Sequence, residues 1–104
     1  ERLRNIRNYY LPDHGRSLGV EMYPARQPYE KYPNTLFQAG DCEVLLDDSV
    51  EFYRALRQQG HSVRLQVVPD MVHCGQMFST IYRAGEIAIV SAARFLQDSF
   101  PKDF

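Results

Sequence analysis

The chain has 104 residues, 44% apolar and 24% charged, which is ordinary globular material with enough apolar weight for one small core. A net charge of -1 offers no electrostatic footprint for nucleic acid or an anionic membrane, and the sequence has no apolar run of about 18 residues to cross a bilayer. Two cysteines do not make a disulfide framework, and Glu1 to Leu11 lacks the apolar centre of a signal peptide, so the expectation is a soluble, cytoplasmic protein.

Leu3, Ile6 and Tyr10 recur at helical spacing among Arg2, Arg4 and Arg7, which predicts a short amphipathic helix over 1–11, ended by Pro12. From there to Pro33 the chain carries Pro12, Pro24, Pro28 and Pro33 with Gly15 and Gly19 and no sustained period, so 1–34 reads as a helix and a long connector. Thr35 to Ala39 fits a buried strand, and Gly40 lets the backbone turn at its carboxyl end. A helix follows, capped by Asp48 or Ser49, with Phe52, Ala55 and Leu56 as its apolar stripe and Gly60 as its stop. Ser62 to Val68 is a second strand, β-branched at Val63, Val67 and Val68 and ended by Pro69. Ile89, Ala92, Ala93, Leu96 and Phe100 form the apolar stripe of a last helix, closed by Pro101.

Strand, helix, strand, helix over 35–104 is an α/β arrangement. The right-handed crossover rule makes its two strands parallel, and their apolar character calls for helices on both faces. Ligands of open α/β sheets sit beyond the carboxyl ends of the strands. Residues 40–46 and 69–76 lie at those ends, so Glu43 and His73 share the functional edge.

An imidazole there is a natural general base, and a carboxylate beside it would fix its tautomer and stabilise its cation. His73 is the base candidate. Asp41, Glu43, Asp47 and Asp48 crowd the acid stretch, with Asp47 and Asp48 better read as helix-start residues stabilised by the amide dipoles.

Leu36 to Ser49, with Gly40-Asp41-Cys42-Glu43-Val44-Leu45 at its centre, and Pro69 to Phe78, with Met71-Val72-His73, together resemble the C-terminal part of the hormone-sensitive-lipase-like esterases of the α/β-hydrolase fold. The resemblance covers roughly residues 32 to 97. It implies a three-layer αβα sheet of which these are the last two strands, and a Ser-acid-His triad with His73 as base and Glu43, or failing that Asp41, as acid. Cys74 and Gly75 depart from the apolar residue and aromatic usual after the histidine. It further implies a carboxylic ester substrate, no metal or organic cofactor, a nucleophile serine in a preceding part outside this chain, and a homodimer through the edge strand and final helix. On that reading the segment is inactive and unstable by itself, and its partner is the N-terminal remainder of the hydrolase.

Gly15-Arg16-Ser17-Leu18-Gly19 matches the nucleophile-elbow pattern, but its context rejects it. Asn8 to His14 is polar with Pro12, and Pro24 and Pro28 forbid a long helix beyond Gly19. Two other classes compete with the hydrolase. One is a non-catalytic βα interaction module presenting Tyr9, Tyr10, Tyr23, Tyr29 and Tyr32 to a partner. The other is a thiol enzyme using Cys42 or Cys74 with His73.

Overall fold

A computed structural model describes residues 23–100. The helix expected over 1–11, Ser17 with its surrounding motif, and Pro101 lie outside those residues. No helix among them is long and apolar enough to cross a membrane.

Pro24, with its fixed φ, opens a single 3-10 turn at Pro24–Arg26, and irregular chain then leads to the first strand, as the proline spacing predicts. Strand β1 is Thr35–Gly40, helix α1 is Leu46–Gln58, strand β2 is Val63–Val68 and helix α2 is Arg83–Ser99. The strands pair in parallel, from Thr35 opposite Val63 to Gly40 opposite Val68, so a βαβ unit with a trailing helix stands as expected.

Alternation along the strands sends their side chains to two different layers. Phe37 meets Phe52 of α1, with ring centroids 5.4 Å apart, whereas Gln38 and Gln66 reach α2. Ala39, Leu56 and Val63 are buried between the sheet and α1. Val68, Met71, Ala84 and Ala88 form the core under α2, with Tyr82 packed against it. Burying a side chain the size of Leu56 or Met71 contributes about 1.5–3 kcal/mol, so these few residues carry most of the hydrophobic stabilisation of so small a unit.

The connector is strapped over the end of α1. Tyr29 N donates to Gln59 Oε1 at 2.7 Å and Gln59 Nε2 returns a bond to Gln27 O at 3.0 Å. His61 Nε2 donates to Tyr29 O at 2.8 Å. The Tyr29, Tyr32 and Phe52 rings lie 5.1–6.3 Å apart, centroid to centroid, and the His61 ring lies tilted against Tyr32 at 5.8 Å. Tyr29 and Tyr32 are thus half-buried in an intramolecular ring cluster, which removes two of the five tyrosines an interaction surface would need.

Two local expectations are corrected. Helix α1 starts at Leu46 behind Leu45, with no side-chain cap. Asp48 lies in its first turn, and Ser49 Oγ bonds back to Leu45 O at 3.2 Å. The sharp turn after β1 delivers the chain into helix before either capping candidate is reached, and Asp47 and Asp48 act through the amide dipoles instead.

The second correction concerns the face of α2. The stripe of Ile89, Leu96 and Phe100 points outward, each about half exposed, and the inward face is Ala84, Gly85 and Ala88. Close approach selects the small residues. An added Cβ on Gly85 would lie 2.2 Å from Gly75 O, so no bulky side chain fits where the helix crosses the loop after His73.

Candidate active site

The loops that follow β1 and β2 are joined to each other as a continuation of the parallel ladder. Asp41 N donates to Val68 O at 3.2 Å and Cys42 N donates to Met71 O at 3.2 Å. Gly40 makes this possible, because a Cβ on it would stand 1.8 Å from that same Met71 oxygen. Met71 is 1% exposed, and its side chain runs from the α2 core to Gly75, where an added Cβ would come within 2.6 Å of Met71 Cγ. One buried residue therefore pins the acid loop, the histidine loop and helix α2 together.

The histidine loop reverses abruptly. Asp70 and Cys74 hold left-handed backbone, at φ of 58° and 56°, a conformation that non-glycine residues adopt at a cost and that clusters at functional sites. Gly75 N closes a turn onto Val72 O at 3.0 Å, and a 3-10 turn at Gly75–Phe78 follows. Tyr82 OH donates to Asp70 O, tying the entry of the loop to the start of α2.

The outcome is that His73 and Glu43 face one another. His73 Nδ1 lies 3.7 Å from Glu43 Oε2, the carboxylate side chain 7% exposed and the imidazole 57% exposed. The separation is an ion-pair distance, longer than the 2.6–3.2 Å of a formed hydrogen bond. With Nδ1 directed at the buried acid, Nε2 is left for a second partner, which is the orientation a proton-shuttling histidine requires.

Asp41, the alternative acid, is exposed and engaged elsewhere, its Oδ1 accepting from the Cys42 thiol at 3.2 Å. That hydrogen bond, with the negative charges of Asp41 and Asp70 nearby, raises the Cys42 thiol above its ordinary value. A nucleophilic cysteine needs the opposite shift, so the thiol-enzyme reading loses Cys42. Cys74 is a free, exposed thiol beside His73 in the chain, and the structure gives it no nucleophile's environment beyond that.

Sequence reasoning missed three things here: the dependence of the loop junction on Gly40 and Met71, the Gln59 and His61 strap, and a set of glutamines under α2. Gln38 and Gln66 sit opposite each other in the strand register, and two glutamines, each at a half-buried position of a mostly apolar strand, were a readable signal of partners in the next layer.

The parallel βαβ unit brings an acid and a histidine together beyond the carboxyl ends of its strands, the edge where ligands of open α/β sheets bind. The family model described as the alpha/beta hydrolase fold matches residues 1–77, and the chain belongs to that family. The match spans β1, α1, β2 and the histidine loop. No curated protein and no solved structure matches the chain.

Proposed function

We propose that this chain supplies the base and the acid of a Ser-acid-His triad in a carboxylic ester hydrolase of the hormone-sensitive-lipase-like kind. His73 is the base, Glu43 the acid, and the nucleophile serine lies outside residues 1–104. The observation that carries the reading is the pairing of a half-exposed imidazole, through Nδ1, with a nearly buried carboxylate at the edge of the sheet where α/β enzymes place their chemistry.

In that mechanism the serine hydroxyl attacks the ester carbonyl while Nε2 of His73 takes its proton. The imidazolium is stabilised by Glu43, whose burial keeps its charge undiluted by water. His73 then protonates the departing alcohol, and a water activated by the same nitrogen releases the acid from the acyl-enzyme. Asp41 takes no part, because its carboxylate is held by Cys42.

The test uses the hydrolase polypeptide that contains these residues together with its serine, assayed on p-nitrophenyl butyrate. His73→Ala abolishes turnover in a folded protein, Glu43→Gln lowers kcat by about 10⁴-fold, and Asp41→Asn leaves it within a factor of about two. Undiminished turnover in His73→Ala overturns the proposal. A loss in Asp41→Asn that exceeds the loss in Glu43→Gln moves the acid to Asp41.

A further inference from the structure

We propose that Gln38 is a positioning residue for His73, acting through a one-way chain of side-chain amides that runs beneath α2. This inference rests on the esterase reading of the site. Gln38 Nε2 donates to the Ala88 carbonyl at 2.7 Å and to Gln66 Oε1 at 2.8 Å, and Gln66 Nε2 donates to Ser91 Oγ at 3.0 Å. Gln76 Nε2 in turn donates to Gln38 Oε1 at 3.5 Å.

The direction of this chain is fixed by one group. A backbone carbonyl only accepts, so the bond to Ala88 places the nitrogen end of Gln38 against α2. Its oxygen end is then left for Gln76, and Gln66, whose oxygen receives Gln38, must donate onward to Ser91. Both amide ends of Gln38 and of Gln66 have a partner, and turning either amide over would set two donors or two acceptors against each other.

Gln76 belongs to the 3-10 turn that immediately follows the left-handed Cys74 and therefore sets where the imidazole-bearing loop comes to rest. Met71 anchors that loop on its entry side by packing, and on its exit side Gln76 donates to Gln38 of β1, the strand that delivers Glu43. The acid and the base are thus referred to the same strand. A glutamine is suited to the position because it offers a donor and an acceptor at once, which neither Leu nor Glu does.

The experiment compares Gln38→Leu, Gln76→Leu and the double variant, each with and without Glu43→Gln, in the same hydrolase polypeptide and assay. Gln38→Leu and Gln76→Leu each lower kcat by about tenfold with KM within a factor of about two, because misplacing the base costs the chemical step and leaves substrate binding intact. The double variant is no worse than either single one. In the Glu43→Gln background neither substitution lowers kcat further, since the imidazole has already lost its orientation there. Gln76→Leu, at the end of the chain, serves alone should Gln38→Leu fail to fold. Full kcat in Gln76→Leu, or equal losses in both backgrounds, overturns the positioning role. Full turnover in His73→Ala would instead overturn the esterase reading, so the two failures are told apart.

Discussion

Gly40→Ala adds one methyl group to the junction of the two site loops, and its effect can be worked from the geometry. The glycine is not in the left-handed region, so alanine suits its backbone, and the stiffer denatured chain alone would stabilise the protein by about 0.4–1 kcal/mol. Against this, the new Cβ would lie 1.8 Å from Met71 O and 2.5 Å from Met71 C, where ordinary contact begins at 3.4 Å. The obstacle is backbone, held in place by a side chain that is 1% exposed, so it cannot swing aside. Parting the loops costs about 1–3 kcal/mol of packing strain and strains the bonds from Asp41 N and Cys42 N, each worth about 1 kcal/mol. The net loss is about 2–4 kcal/mol, a large share of the 5–15 kcal/mol typical of a domain. Urea unfolding followed by circular dichroism measures it, with Gly60→Ala as comparison. Gly60 has φ of 85° and nothing within 4 Å of an added Cβ, so its substitution costs only the left-handed backbone, about 1–2 kcal/mol. A Gly40→Ala midpoint equal to wild type, or a Gly60→Ala variant clearly the weaker of the two, would refute the reasoning.

Three further outcomes are expected. Met71→Ala removes a fully buried side chain from the junction of both loops and α2 and should destabilise by about 2–5 kcal/mol, while Met71→Leu should cost under about 1.5 kcal/mol in the same unfolding assay. His61→Ala deletes the bond to Tyr29 O and the tilted ring contact with Tyr32, and should release the strap so that limited proteolysis cuts within 23–33 before any other described segment. Asp41→Asn removes the negative charge that helps keep the Cys42 thiol protonated and leaves only a weaker, neutral amide oxygen as acceptor. The Cys42 pKa should then fall, and alkylation by iodoacetamide at mildly alkaline pH should speed up; an unchanged rate would count against the contact.

The order of elements, the parallel pairing and the edge of the sheet that holds His73 and Glu43 were legible in the sequence, because each follows from local apolar runs, turn residues and the handedness of the crossover. The face of α2 was not. Ile89, Leu96 and Phe100 give the stronger period, yet the packed face is set by how closely Gly85 must approach Gly75 O, a distance no single helix encodes. The start of α1 was missed for a related reason: cap residues rank preferences, and the geometry of a tight turn after Gly40 overrode them. The 3.7 Å between imidazole and carboxylate is likewise a product of Met71 and the left-handed Asp70 and Cys74, whose backbone choices leave no mark in composition.

The outward stripe of α2 bears on how the chain behaves as a colloid. Ile89, Leu96 and Phe100 are each about half exposed among the described residues, and the 12 basic and 13 acidic side chains of residues 1–104 leave a net charge of only -1. Little mutual repulsion then keeps two copies apart, and exposed apolar area supplies the attraction. Acidification toward the isoelectric point of about 6.3 carries the charge of residues 1–104 through zero and should bring a solubility minimum. Added surface acids on that helix should remove it, and crystallisation trials belong on the alkaline side of it.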